Sequence, residues 1–187
     1  MEDLGLPRGV AVPDTQEIRV HFDGACQPPR GGGVSTYGFV AEGAGIFHEE
    51  RGLAVPPFSE HATNNVGEYV GAIRALEWLK SHGFRGRVLL LGDSQLVIRQ
   101  FTGEYEVRKE HLKEYHRWLR TLAKGFSDVR FEWVPREQNA RADELSKLAL
   151  ADHAAQARQL RKGRDGPAGA PPPDPSRREA DQRYRTV

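Results

Sequence analysis

The 187-residue sequence contains one cysteine, Cys26, and no apolar run that approaches the roughly 20 residues needed to cross a bilayer. A single cysteine cannot form an internal disulfide, so we expect a reducing intracellular compartment, the cytoplasm. The amino terminus lacks a cationic start followed by an apolar stretch, so we expect no secretory signal. These absences argue against a disulfide-rich secreted protein, and we expect no membrane partner.

A strong excess of charge of one sign is also missing. The formal net charge is +1, and residues 151–187 carry eight Lys/Arg against five Asp/Glu, which leaves 19 against 21 for residues 1–150. The main body therefore has no general attraction for phosphates. If it binds nucleic acid, it must do so through a local basic patch or through metal ions.

Composition divides the chain into three parts. Residues 163–187 hold five prolines and three glycines and have too little apolar surface to offset the entropy of ordering. Pro7, Gly9 and Pro13 interrupt any period near the amino terminus. We therefore predict an irregular lead-in over residues 1–15, one folded domain over residues 16–155 and a disordered tail over residues 156–187.

Hydrophobic periodicity predicts an α/β domain. Ile18, Val20 and Phe22 alternate with polar residues and begin a predicted meander of three strands, over about 18–22, 37–42 and 46–54. Six further elements are predicted after the meander. They are a helix over 65–82, a buried strand over 88–91, helices over 95–101 and 108–124, a strand over 129–134 and a helix from about 139 past 150. This order predicts a five-stranded mixed sheet, an antiparallel meander plus parallel strands.

Four carboxylates are candidates for a site. Asp23 and Asp93 directly follow apolar strands, where the ends of parallel strands usually form sites, and neighbouring strands would bring their like charges together. Mg²⁺ would neutralise them, because it prefers carboxylate oxygens. The alternative interpretation is that each aspartate only caps a helix or stabilises a turn. Glu68 and Asp143 lie early in predicted helices, where an anion is also favoured by the helix dipole alone.

Four motifs are similar, in order and in spacing, to those of type 1 ribonuclease H. They are Asp23-Gly24-Ala25-Cys26 after a strand, Thr63-Asn64-Asn65-x-x-Glu68 opening a helix, Gly92-Asp93-Ser94-Gln95 after a buried strand, and Asn139-x-x-Ala142-Asp143-x-Leu145 on the last helix. The four acids are separated by 45, 25 and 50 residues. The resemblance covers about residues 17–150 and implies a ribonuclease H-like fold with helices on both faces of the sheet.

The resemblance implies an endoribonuclease that hydrolyses the RNA strand of RNA/DNA hybrids and leaves 5′-phosphate and 3′-hydroxyl ends. Two Mg²⁺ or Mn²⁺ ions would be held by the four carboxylates and would carry the reaction. The family also implies a monomer. Two alternatives stay open, a non-catalytic hybrid-binding module of the same fold and another nuclease of the ribonuclease H superfamily.

The resemblance also implies substrate contacts. Asn64, Asn65 and Gln95 match positions that contact the minor groove of the hybrid, where side-chain amides suit a 2′-hydroxyl that both donates and accepts. Thr63 matches a position that contacts a DNA phosphate. For one of the two asparagines, capping of the helix is an equal alternative.

The sequence departs from well-known relatives in three places, one of which is a longer glycine-rich loop after Asp23. No lysine-rich insertion follows Gly103, and the loop over residues 134–138 contains no histidine. Arg136 is the nearest replacement for that histidine. An arginine keeps its proton, so Arg136 would act only electrostatically on a phosphate. Its alternative is a surface ion pair with Glu137 or Glu132.

Overall fold

The computed structural model of the protein describes residues 17–28 and 32–164, with side chains described up to residue 153. The predicted lead-in and residues 165–187 of the predicted tail lie outside the described residues. No helix in the described ranges combines the length and apolar character needed to cross a membrane.

Five strands form one mixed sheet in the order β3-β2-β1-β4-β5. β1 is antiparallel to β2 and β2 to β3, whereas β4 is parallel to both β1 and β5. The predicted mixed sheet is therefore confirmed. The strands are β1 (Glu17–Gln27), β2 (Val34–Gly43), β3 (Ile46–Leu53), β4 (Arg87–Gly92) and β5 (Asp128–Trp133).

Four α-helices connect and cover these strands: α1 (Asn64–Ser81), α2 (Gln95–Thr102), α3 (Glu110–Ala123) and α4 (Ala140–Arg164). A short 3₁₀ helix over Arg136–Asn139 leads into α4. Because α4 continues to Arg164, residues 156–164 are helical, which corrects their assignment to a disordered tail.

The main core lies between α1 and one face of the sheet. Phe22, Phe39 and Leu90 from the strands and Tyr69 and Ile73 from α1 are almost fully buried in it. Gly38, adjacent to Phe39 and so pointing to the opposite face, lies against Leu145 and Ser146 of α4. Helices therefore cover both faces of the sheet, as the resemblance implied.

β1 is longer than the sequence predicted. Asp23 was expected to follow the strand, but it lies inside β1, because antiparallel pairing with β2 continues to Gln27. The parallel pairing with β4 stops earlier, at His21 opposite Leu91. Asp23 thus lies at the end of the parallel ladder without lying at the end of its strand.

Candidate active site

One cavity of about 290 Å³ brings the four predicted carboxylates together. It opens where the parallel pairing of β1 with β4 ends, and it is also lined by the first residue of α1 and by α4. The polar residues that line it are Asp23, Asn64, Glu68, Asp93, Arg136, Asp143 and Lys147.

Glu68 reaches this cavity because two glycines let α1 touch the sheet. A Cβ atom at Gly24 would lie 2.2 Å from the Glu68 backbone nitrogen, and one at Gly67 would lie 2.5 Å from the Thr36 carbonyl oxygen. Only glycine permits so close an approach. Glu68 is the fifth residue of α1, not a first-turn residue as predicted, so this close packing determines its position.

Asp143 lies in the first turn of α4 and has a cation on each carboxylate oxygen. The Arg136 guanidinium donates to Oδ1, and the Lys147 ammonium donates to Oδ2 at 2.5 Å. The sequence alternatives for Arg136 were ion pairs with Glu137 or Glu132, and Arg136 instead pairs with Asp143. Burial alone would raise the pKa of Asp143, but these two cations hold it below its usual value.

The carboxyls of Asp23 and Glu68 are far harder to ionise. Burial raises the pKa of Glu68 to about 8, and the charges of Asp23 and Asp93 add to this, while a hydrogen bond with Ser94 opposes it. Burial likewise raises the pKa of Asp23 to about 6, against a hydrogen bond from Ser146. The buried Glu68 Oε2 has no hydrogen-bond partner. Among the four acids, Glu68 therefore has a buried oxygen that lacks a hydrogen-bond donor.

The raised pKa of Glu68 predicts that the metal-free protein loses stability as pH rises. Below its usual pKa of 4.5, Glu68 is protonated in both folded and unfolded states. Between pH 4.5 and about 8 the unfolded state releases this proton while the folded state retains it, which favours unfolding. Glu68→Gln keeps this side chain neutral at every pH. We therefore expect the free energy of unfolding of the variant, relative to that of the unmodified protein, to increase by about 2–4 kcal/mol as the pH rises from 5 to 8.

Urea unfolding in the presence of a chelator, at several pH values across this range, measures the difference. Glu77→Gln is the matched control, since it removes a carboxyl from the same helix at an Arg74 ion pair. A constant difference between the Glu68 variant and the unmodified protein at all pH values would contradict the prediction.

The predicted substrate residues occupy three neighbouring regions. Asn64 lines the cavity that holds the four acids, Asn65 lines a cavity of about 570 Å³ together with Arg108 and Lys109, and Gln95 lines one of about 450 Å³. Thr63 caps α1, because its side chain accepts a hydrogen bond from the Val66 backbone. Capping by Asn64 or Asn65 was therefore the wrong alternative.

Sequence reasoning missed three side chains that support the acids. Asn139 donates to the Phe22 carbonyl at 2.9 Å and to Asp93 Oδ1 at 3.3 Å. Ser146 donates to Asp23 Oδ2, and Lys147 contacts Asp143. The spacing of three and four residues after Asp143 on one helix face was the available signal for the last two.

The donor set fits a hard divalent cation. The four acids offer carboxylate oxygens, which Mg²⁺ and Mn²⁺ prefer, and Glu68 Oε2 is a buried oxygen without a partner. Within residues 17–28 and 32–153, no three His, Cys, Asp or Glu side chains already converge closely enough to hold one ion. Both oxygens of Asp143 already accept from a cation.

Comparison with known proteins identifies the family. A family model described as reverse transcriptase-like matches residues 38–149. Ribonuclease HI of Halobacterium salinarum is 34% identical over 165 residues, covering 80% of this chain and 82% of that protein.

Solved structures agree with this assignment. The N-terminal RNase H domain of Rv2228c from Mycobacterium tuberculosis, solved as a fusion with maltose-binding protein, is similar with a TM-score of 0.67 and 30% identity. The match covers 76% of this chain and 99% of that one. LC11-RNase H1, isolated from compost and solved with an RNA/DNA hybrid, has a TM-score of 0.63 and 32% identity over 73% of this chain and 98% of its own. The chain belongs to the type 1 ribonuclease H family.

Proposed function

We propose that this protein is an endoribonuclease that hydrolyses the RNA strand of RNA/DNA hybrids. The observation that most supports the proposal is the cavity lined by Asp23, Glu68, Asp93 and Asp143. Relatives named ribonuclease H, one of them solved with a hybrid, support the substrate class. A cluster of acids alone would repel a phosphate, so binding and cleavage should both require divalent cations.

The four carboxylates would hold two Mg²⁺ or Mn²⁺ ions. When bound, these ions supply an activated water and stabilise the charge that develops on the leaving 3′ oxygen. Asp23 and Glu68 must release their protons on the way to that state, because burial raises the pKa of both groups. Asp143 would bind an ion either beside Arg136 and Lys147 or in place of one of them, because each of its oxygens already accepts from one cation.

Both cations would then have a second use, in contact with the substrate. Arg136 and Lys147 line the same cavity as the acids, and both are more than half exposed, so they are free to reorient. A substrate phosphate in this cavity would be a suitable partner for either side chain. We therefore assign phosphate binding to Arg136 as an electrostatic role.

Selection of RNA would come from the amides near the cavity. Asn64 lies in the catalytic cavity, and Asn65 and Gln95 line the two adjoining ones. A side-chain amide both donates to and accepts from a 2′-hydroxyl, which distinguishes RNA from DNA. Thr63 caps α1 by accepting from the Val66 backbone, so its hydroxyl can still donate its proton to a DNA phosphate.

A cleavage assay tests the proposal. The unmodified protein is incubated with an end-blocked RNA/DNA hybrid, with duplex DNA and with duplex RNA, each with Mg²⁺ and with a chelator. We expect internal cuts in the RNA strand of the hybrid only, and only with Mg²⁺, leaving 5′-phosphate and 3′-hydroxyl ends.

The same assay distinguishes the two alternatives. Binding of the hybrid without any cut would indicate a non-catalytic module, and resistance of the end-blocked hybrid alone would indicate an exonuclease of the superfamily. The monomeric state and the cytoplasmic location stay predictions, to be checked by light scattering and by fractionation.

A further inference from the structure

Ser146 connects α4 to the carboxylate of Asp23 on β1. Its side chain is fully buried, its hydroxyl donates to Asp23 Oδ2, and it lies 2.9 Å from the Asp143 carbonyl oxygen. Its position three residues after Asp143 places both side chains on the same face of α4. Ser146 thus joins two of the four acids through a single hydroxyl.

We propose that Ser146 is a positioning residue that fixes the Asp23 carboxylate for the binding of a divalent cation. The inference rests on the proposed function and adds a residue to its site. With Oδ2 held by the hydroxyl, the orientation of the carboxylate is determined. Oδ1 would then be left to bind the ion. Binding would cost less side-chain entropy than it would for an aspartate that no hydrogen bond holds in place.

An ordinary helical serine would need no second partner. A serine in a helix commonly returns its hydroxyl proton to a carbonyl three or four residues earlier, and the Asp143 carbonyl offers that bond here. A hydroxyl has only one proton to donate. A hydrogen bond to an ionised carboxylate is about twice as strong as one to a neutral carbonyl, so the proton goes to Asp23 when Asp23 is charged.

The surrounding backbone holds Ser146 in this place. Gly38 is paired with Asp23 across β1 and β2, and a Cβ atom on it would lie 2.6 Å from the Ser146 backbone nitrogen. Thr36 Oγ1 donates to the Ser146 carbonyl at 2.8 Å in a buried contact. The close approach at Gly38 fixes this turn of α4 against the sheet, so the serine hydroxyl has little freedom to turn away from Asp23.

Ser146→Ala, compared with Thr36→Val, tests the proposal. Both changes remove one buried hydroxyl between the sheet and α4, but only the first hydroxyl contacts a carboxylate. Mn²⁺ affinity without substrate, measured by calorimetry or by the spin signal of free Mn²⁺, is the readout. We expect Ser146→Ala to weaken Mn²⁺ binding by about 10-fold or more, and Thr36→Val to lower the unfolding midpoint with little change in affinity.

Two results would overturn the inference: an unchanged affinity in Ser146→Ala, or an equal loss of affinity in Thr36→Val, which would assign the effect to a loosened helix. If Ser146→Ala does not fold, Ser146→Cys replaces it, with a weaker donor of similar shape and an expected intermediate affinity. Cleavage by the unmodified protein is measured separately. A protein that binds Mn²⁺ but does not cut hybrids would refute the proposed function while leaving the role of Ser146 testable.

Discussion

Asp93→Asn is expected to reduce the rate of hybrid cleavage by on the order of 10³-fold or more, because metal catalysis contributes several kcal/mol and each 1.4 kcal/mol is a factor of ten. Asparagine has nearly the shape of aspartate and keeps an oxygen that can accept from Asn139. The substitution therefore removes charge from the cavity with little change in packing. Initial rates on an end-blocked hybrid in Mg²⁺ measure the effect.

Asp152→Asn is the matched control for this experiment. Asp152 is exposed on α4, pairs with Arg51 and does not line the cavity, so its substitution changes the net charge equally outside the site. We expect its cleavage rate to stay within about twofold of the unmodified rate, since exposed ion pairs contribute little. Unchanged cleavage in Asp93→Asn, with its thermal unfolding also unchanged, would refute the catalytic assignment.

Gly67→Ala is expected to lower the free energy of unfolding more than the other substitutions proposed for this protein. The new methyl group would lie 2.5 Å from the Thr36 carbonyl oxygen and 3.0 Å from Gly24 Cα, both backbone atoms that cannot move independently. Overpacking of a well-filled core typically costs about 1–3 kcal/mol and occasionally more, and a backbone collision at the centre of the fold belongs at the upper end. Denaturant unfolding in a chelator measures this cost, and hybrid cleavage should fall with it because Glu68 is displaced.

Gly71→Ala serves as the comparison on the same helix. There the nearest atom to the added methyl group, the Asp23 carbonyl oxygen, is 3.3 Å away. Both substitutions gain about 1 kcal/mol of helix propensity over glycine, so their difference isolates the collision. We expect Gly71→Ala to change stability by less than about 1 kcal/mol. Equal effects of the two substitutions would show that the close contact between α1 and β1 is unimportant.

The sequence predicted that the four acids lie together, and two of them, Asp23 and Asp93, follow strong local signals. The continuous apolar run before Asp93 predicts a strand buried on both faces, and the abrupt end of that run places Asp93 at the sheet edge. The structure has β4 in the interior of the sheet, between β1 and β5, with Asp93 just after it. Parallel pairing with β1 then brings Asp23 beside it.

The sequence could not predict the features that depend on contacts between distant elements. The extent of β1 depends on its pairing with β2, so the alternation that ends at Phe22 gave too short a strand. The choice of Thr63 over Asn64 as the helix cap depends on where the first turn begins, which residue preferences alone do not decide. The contact of Ser146 with Asp23 joins residues 123 positions apart through the packing of α4 at Gly38.

The two cations on Asp143 compensate its charge before any metal binds, so folding does not need bound metal. Arg136 and Lys147 provide internal counter-charge for one of the four acids, and protonation of Glu68 at neutral pH removes the charge of another. A newly made chain can therefore complete its tertiary structure while free divalent ions are scarce. Loading would then be a later and reversible exchange, in which divalent ions from solution replace the proton on Glu68 and the cations on Asp143.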